Sequence, residues 1–532
     1  MAREEGKKTP PPGATRHPPQ KGEGFGGASW RTAAKPSGQT EKKTAPEQST
    51  RPSRPPLGGD ASVKQSTRPS RPPLGGDVAV RRQRGEKPPA KRTTARDAAL
   101  DILIDCRKNG AWADAALNAY LQSVSMPPME AALCGRLVYG VTQFRILLDF
   151  YLDAFCTQKV SHLQYPLAEI LRLGAYQILF LDRVPDHAAV NEAVRQASRA
   201  GRKSASGMVN AVLRRLSREK DALPPVPDAD PVRALSIRHS HPRWIVERVS
   251  ALLGLSETEA FLSANNRIPP LTAQINPERV TPDELIAELT RDGVTAARHE
   301  WLSDCVEIRV SGALTKLPSF RAGKFYVQDA AARLVTDCAG IVPGASVLDA
   351  CAAPGGKSFG AAFAVGDGGS VLACDVNANK LQRIRDGAKR LGLAGRIRTA
   401  AADGRAFHAE WADKFDVVLA DVPCSGLGIV RKKPDIRYRD PAALDALPPL
   451  QCAILDNAAR YVRPGGTLCY STCTVLPEEN EAVTEKFLSA HTDFRRVPFA
   501  LPHIGETDGQ ITLWPQRNGT DGFYICRMAR DA

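Results

Sequence analysis

The chain has 532 residues, a formal net charge of +14 and twelve cysteines, long enough for two to four domains. Residues 1–92 hold 20 Lys and Arg against 8 Asp and Glu, so everything after them is nearly balanced. That excludes a globally basic folded body, and any nucleic-acid surface on it must be local. No uninterrupted apolar run approaches the roughly 18 residues that span a bilayer; Ile170 to Val184 comes nearest and carries charges. The cysteines show no Cys-x-x-Cys or zinc-like spacing, so no metal site is expected and a reducing compartment suits them. The first residues, MAREEGKK, open neither a signal peptide nor an acid-poor transit peptide, which makes the expected location cytoplasmic, without membrane contact.

Residues 1–93 are rich in Pro, Gly, Ser and basic side chains, with Phe25 and Trp30 the only aromatics. Such a segment cannot bury enough apolar surface to offset its ordering entropy, so a disordered basic tail is expected. Within it, QSTRPSRPPLGGD occurs twice, at Gln48–Asp60 and Gln65–Asp77. From 94 to 225 the apolar spacing is helical. Ala99, Ile102, Leu103 and Cys106 share one face, as do Leu167, Ile170, Leu171, Gly174, Ile178 and Leu181. Pro166 and Pro185 punctuate this all-α domain, and Asp186 is placed to cap a helix.

Residues 226–320 read as a small α+β connecting subdomain. Trp244, Val246, Val249 and Leu252 follow a helix face, Leu271–Ile275 a strand, and Thr281-Pro-Asp-Glu284 a capping box. Over 321–532, apolar runs at 346–350, 370–376, 396–401, 415–420 and 466–470 alternate with helical stretches such as 379–391 and 443–461. This predicts a Rossmann-like, doubly wound parallel sheet, with Gly522–Met528 as an added edge strand.

In such a sheet the strand ends converge on one crevice, where ligands bind. The turn after the first strand, Cys351-Ala352-Ala353-Pro354-Gly355-Gly356-Lys357, lacks both the dinucleotide and the phosphate-cradle spacings. Gly355 and Gly356 still permit a tight turn and a close backbone approach. Asp375, ending the second strand, is placed to accept from a ribose diol, and Asp403, ending the third, from an adenine amino group. An adenosyl ligand without a pyrophosphate fits, and S-adenosylmethionine is the expected cofactor. Two thiols face the same cleft, Cys424 in Asp421-Val-Pro-Cys-Ser-Gly and Cys473 in Tyr470-Ser-Thr-Cys-Thr. A thiolate added at cytosine C6 would make C5 nucleophilic towards a methyl donor. Local chemistry leaves open which thiol attacks.

These segments, together with Phe325-Tyr-Val-Gln-Asp329, Arg431-Lys-Lys-Pro-Asp-Ile-Arg437 and Val475-Leu-Pro-Glu-Glu-Asn480, resemble the RNA cytosine-5 methyltransferases. From about residue 95 the chain is similar to their Sun/RsmB branch, which acts on 16S ribosomal RNA. Val190-Asn-Glu-Ala-Val and Val209-Asn-Ala-Val-Leu in the helical domain resemble the NusB-type RNA-binding fold. The resemblance implies Cys473 as nucleophile, Cys424 as the thiol of product release, and Cys351 to Lys357, Asp375, Asp403 and Asp421 as cofactor contacts. Thr474 stands where the family pattern has Ser. Arg431, Lys432, Lys433 and Arg437 beside the first thiol are expected to contact RNA phosphates. The partner is then 16S RNA, free or in a partly assembled subunit, with the protein a monomer. The rival substrate is transfer RNA, and the rival class is a non-catalytic RNA-binding factor.

Overall fold

The computed structural model describes residues 94–309 and 313–532. The basic tail and its duplicated segment lie outside the described residues.

Six helices form the first domain: α1 (Ala95–Asn109), α2 (Ala113–Ser123), α3 (Pro128–Asp153), α4 (Tyr165–Phe180), α5 (Asp186–Arg199) and α6 (Ser206–Glu219). Thr94 caps α1 by accepting from the Asp97 amide. The predicted apolar faces meet in one core with Leu100, Leu137, Leu148 and Leu213. Gly174 lets α4 and α6 touch, since a Cβ there would lie 2.4 Å from Leu213 Cδ1. The cap of α5 is Pro185 rather than Asp186. Asp186 instead begins the helix and accepts from Ser217 and Lys220 at 2.8 Å each. Helix α3, despite Arg136, Arg145, Asp149 and Asp153, is long and apolar enough to cross a membrane by length and composition. Its Cys134, Leu137, Val138, Val141, Leu148 and Leu152 are spent on the helical core instead.

Two helices follow, α7 (Pro231–Arg238) and α8 (Arg243–Ala264), then a small antiparallel sheet of order β2-β3-β1-β4. Its strands are β1 (Leu271–Ile275), β2 (Thr295–Arg298), β3 (Cys305–Arg309) and β4 (Phe325–Val327). The capping box forms as read: Thr281 and Glu284 bond reciprocally at the start of α9 (Pro282–Arg291). After the single turn α10 (Pro318–Arg321), β4 pairs with β1, so the connecting sheet extends past residue 320.

The last domain begins with α11 (Ala330–Cys338). Its strands β5 (Ser346–Asp349), β6 (Ser370–Asp375), β7 (Ile397–Ala401), β8 (Phe415–Asp421) and β9 (Val462–Thr472) are parallel, in the order β7-β6-β5-β8-β9. Intervening helices are α12 (Gly356–Val365), α13 (Ala378–Leu391) and α14 (Leu447–Ala459), followed by α15 (Glu481–Ala490). Beyond them lie β10 (Phe494–Arg496), the hairpin β11 (Phe499–Leu501) and β12 (Gly505–Thr507), β13 (Gln510–Leu513), the turn α16 (Pro515–Asn518) and β14 (Phe523–Arg530). The expected edge strand at the C-terminus is an internal one. Antiparallel β14 lies between β9 and β10 and also pairs with β13, which makes the sheet mixed.

Strand residues alternate between two cores. Val347, Val417 and Leu419 join α11–α13, while Leu348, Val418 and Ala420 join α14 and α15. Burial on both faces is why these strands read as continuous apolar runs rather than alternating ones.

Candidate active site

Chain order reverses at β5, whose neighbours are β6 and β8, and this is the switch point at which an open α/β sheet binds ligands. Asp349, Asp375 and Asp421 end those three strands. All three charges act on the Cys351 thiol, which burial above all holds well up from its usual value, so Cys351 stays protonated. Gly355 caps α12 at φ +111°, and a Cβ there would lie 2.9 Å from the Phe359 ring. On Gly356, a Cβ would crowd Gln328 at 3.1 Å. The chain thus presents bare backbone beside a carboxylate set.

One oxygen of fully buried Asp349 accepts from Ser358 at 2.7 Å, while the other has no hydrogen-bond partner of good geometry among the described residues. Burial lifts its carboxyl to about 6. Asp375 accepts from the Asn377 amide with one oxygen, at 2.8 Å. Asp403 is bridged by the Arg405 guanidinium, which lowers its carboxyl to about 2. It lines a shallow crevice with Leu348, Cys374, Trp411 and Tyr461. An unpaired buried acceptor, carboxylates at successive strand ends and a side-chain-free turn fit the amine, ribose diol and adenine of S-adenosylmethionine.

Both cysteine turns reach the same place. β8 and β9 are parallel neighbours, with Asp421 opposite Ser471, so the residues that follow them emerge side by side. Cys424 Sγ lies 3.0 Å from Cys473 Sγ. The bond to Cys473 comes first among the causes that hold the Cys424 thiol well above its usual value. Burial and the charges of Cys473, Glu479 and Asp421 add to it. A thiolate at Cys424 is thereby disfavoured. Lys357 Nζ donates to Asp421 at 2.6 Å, and Asp421 also accepts from Ser471 Oγ at 2.8 Å. Burial opposes the Lys357 charge, but Asp421, Asp349 and Cys473 outweigh it and raise the ammonium's pKa. The cysteine turns are also joined one residue further on, where Ser425 Oγ and Thr474 Oγ1 are 2.6 Å apart. The threonine after Cys473 thus has a definite structural use.

Three of the four residues expected on RNA, Arg431, Lys432 and Arg437, are engaged by protein groups. Arg437 is fully buried. Its guanidinium donates to the carbonyl oxygens of Gln143, Ser240 and Asn265 at 3.0–3.1 Å, and to Asn266 Oδ1 at 2.8 Å. Arg431 pairs with Asp521 at 2.7 Å. Lys432 pairs with Asp329 and with Asp521. Burial and the Asp329 charge raise the Asp521 carboxyl to about 6 against these cations. Lys433 is exposed and lies 3.3 Å from Asp114 of α2. The segment is a latch, since Tyr438 also donates to the Thr142 carbonyl at 2.9 Å and Asp435 accepts from the Ala113 amide. It ties the helical domain to the turn that carries Cys424.

Sequence reasoning gave no role to Ser471, Gln451 or Asp521, whose partners lie far away in the chain. A usable signal existed for Asp521, an acid directly before a glycine. Gly522 donates to the Gly428 carbonyl at 2.8 Å, and Gly428 donates to the Cys473 carbonyl at 3.0 Å. A Cβ on Gly428 would sit 1.9 Å from Gly522 O. The Gly428→Ala variant should lose about 3 kcal/mol of stability through overpacking. Thermal or denaturant unfolding checks this, and an unchanged midpoint would refute it.

Fold and site define a Rossmann-like methyltransferase with two thiols at its cofactor cleft. The family model for 16S rRNA methyltransferase RsmB/F matches residues 341–529, the NusB family model residues 93–218, and the RsmF/B-like ferredoxin-like domain residues 241–315. The probable ribosomal RNA small subunit methyltransferase B of Bacillus subtilis (strain 168) is 34% identical, with 83% of this chain and 99% of the relative covered. Its counterpart from Synechocystis sp. is 35% identical, over 82% and 99%. The crystal structure of PH0851 aligns with a TM-score of 0.69 at 26% identity, covering 81% of this chain and 98% of that one. The chain belongs to the ribosomal RNA small subunit methyltransferase B family, and its cofactor is S-adenosylmethionine.

Proposed function

We propose that this protein methylates C5 of a cytosine in 16S ribosomal RNA through a covalent bond between Cys473 and C6, with Cys424 assisting release. The observation that carries this reading is the 3.0 Å thiol pair beside the cofactor turn. Bound S-adenosylmethionine supplies an electrophilic methyl group. Cytosine C5 is a poor nucleophile until a thiolate adds at C6 and gives it enamine character. C5 then takes the methyl; a base removes the C5 proton, and as that electron pair restores the C5–C6 double bond the Cys473–C6 bond breaks to return the thiolate. The Lys357 ammonium supports negative charge on Cys473, while the protonated Cys424 is placed to move a proton at Sγ.

Cys351 to Lys357, Asp375, Asp403 and Asp421 hold the cofactor in this reading. The target base must leave its stack to reach Cys473, as for other enzymes acting on bases within helices. The helical domain (94–225) and the connecting subdomain (226–320) dock RNA, and 321–532 performs the transfer. Of the four basic residues expected on RNA, Lys433 keeps the exposure that a phosphate contact needs.

The test is methyl transfer from labelled S-adenosylmethionine to unmodified 16S RNA, free and in partly assembled subunits, with transfer RNA alongside. Label recovered as 5-methylcytosine in 16S RNA is the expected result. Label in transfer RNA alone, or in another base, would overturn the proposal.

A further inference from the structure

The two cysteine turns are not held together by the thiols themselves. Glu479 and Asn480, six and seven residues after Cys473, grip both. Glu479 Oε2 accepts from the Ser425 amide and from Gln451 Nε2, each at 2.8 Å, and Gln451 Nε2 also donates to the Pro423 carbonyl at 3.0 Å. Both neighbours of Cys424 are thereby fixed on one carboxylate. Asn480 accepts from Thr472 Oγ1 at 2.6 Å and donates to the Thr474 carbonyl at 3.2 Å, fixing both neighbours of Cys473. The Glu479 carbonyl further accepts from Tyr470 OH at 2.6 Å.

Glu479 is 2% exposed, its bonds come from neutral donors, and its second carboxylate oxygen has no partner among the described residues. A carboxylate this buried disfavours a second negative charge nearby. Glu479, Asp421 and Cys473 act on the Cys424 thiol as negative charges, while the Arg439 guanidinium donates to the Cys424 and Ser425 carbonyls at 3.4 and 3.1 Å. Tyr470 packs on the same pair as a neutral phenol whose ionisation burial, Cys424 and Glu479 all oppose. Across the pair, Cys473 faces the Lys357 ammonium.

We propose that Glu479 is the positioning residue that sets the roles of the thiols, fixing the Cys424 turn on a buried carboxylate with its sulfur 3.0 Å from Cys473, so that Cys473 is the sulfur that attacks. This rests on the covalent mechanism proposed above and goes beyond it, assigning the division of labour to a group outside the cleft. Glu479→Gln keeps the shape and removes the charge.

The test is iodoacetamide alkylation of the full chain across pH, with each cysteine followed by peptide mass spectrometry, alongside methyl transfer. Wild type should alkylate at Cys473 in preference to Cys424. In Glu479→Gln the ratio should move towards Cys424 by about tenfold, the size of one pKa unit. Glu479→Asp, which retains the charge, should keep the wild-type preference even where its bonds lengthen. An unchanged ratio in Glu479→Gln, or an equal rise at both cysteines as loosening alone gives, overturns the proposal. Should Glu479→Gln fail to fold, loss of the Cys473 preference in Glu479→Asp would overturn it. Absence of methyl transfer by wild type, with the alkylation shift intact, would instead strike the mechanism and leave the role of Glu479 standing.

Discussion

Replacing Cys473 with alanine is expected to lower methyl transfer by about 10^4-fold or more, the scale on which enzymes lose rate when a covalent nucleophile is removed. No other described thiol can stand in. Cys351 is held protonated by burial, and the bond to Cys473, burial and the charges of Cys473, Glu479 and Asp421 oppose a thiolate at Cys424. Cys424→Ala should behave differently. Its Cys473 still adds to C6, but the proton donor 3.0 Å away is gone, so RNA should remain attached to the protein on a denaturing gel. Wild-type transfer by Cys473→Ala would move the nucleophile to Cys424. An attached product in Cys473→Ala and none in Cys424→Ala would exchange the two roles.

Arg437→Ala is expected to cost about 3–5 kcal/mol, because it takes the donor away from several buried carbonyl oxygens at once. Among the described residues Arg437 has no carboxylate partner. Its charge is met by carbonyl dipoles from α3, from the α7–α8 junction and from the end of α8. Burial lowers the guanidinium to about 10, which leaves it protonated at neutral pH. Truncation would strand those carbonyls in the interior at about 1–3 kcal/mol each where water cannot reach. Arg437→Lys should recover little, because one ammonium cannot span the acceptors that a planar fork reaches. The measurement is the first denaturant transition of the full chain, with limited proteolysis reporting release of the helical domain. A loss below about 1 kcal/mol would show that the latch is held by Tyr438 and Asp435 instead.

These two residues mark the limits of what the sequence reveals. The meeting of the two cysteine turns was legible because strand, turn and thiol follow one another locally and strand ends of a parallel sheet share an edge, whereas the choice of Cys473 as nucleophile came only from the family resemblance. The helical domain was legible through its 3.6-residue periodicity, and the capping box through two residues three apart. Arg437 was misread because a basic run has the same composition whether water or protein surrounds it. The C-terminal strand was misread because β10 and β13, which cover its outer side, are only three and four residues long.

The sequence by itself determined the chemistry available to this protein: two thiols, a glycine turn, carboxylates at strand ends, and the order of domains. Each of these depends on residues near one another in the chain. Only the tertiary structure decided which charges meet. Lys432 finds Asp329 across 103 residues, and Arg437 finds Gln143 across 294. Ionic and hydrogen-bond partners act over a few ångströms of space, so separation along the chain carries no information about them. It is these distant contacts that turn a basic loop into a latch and bring two thiols within 3.0 Å of each other.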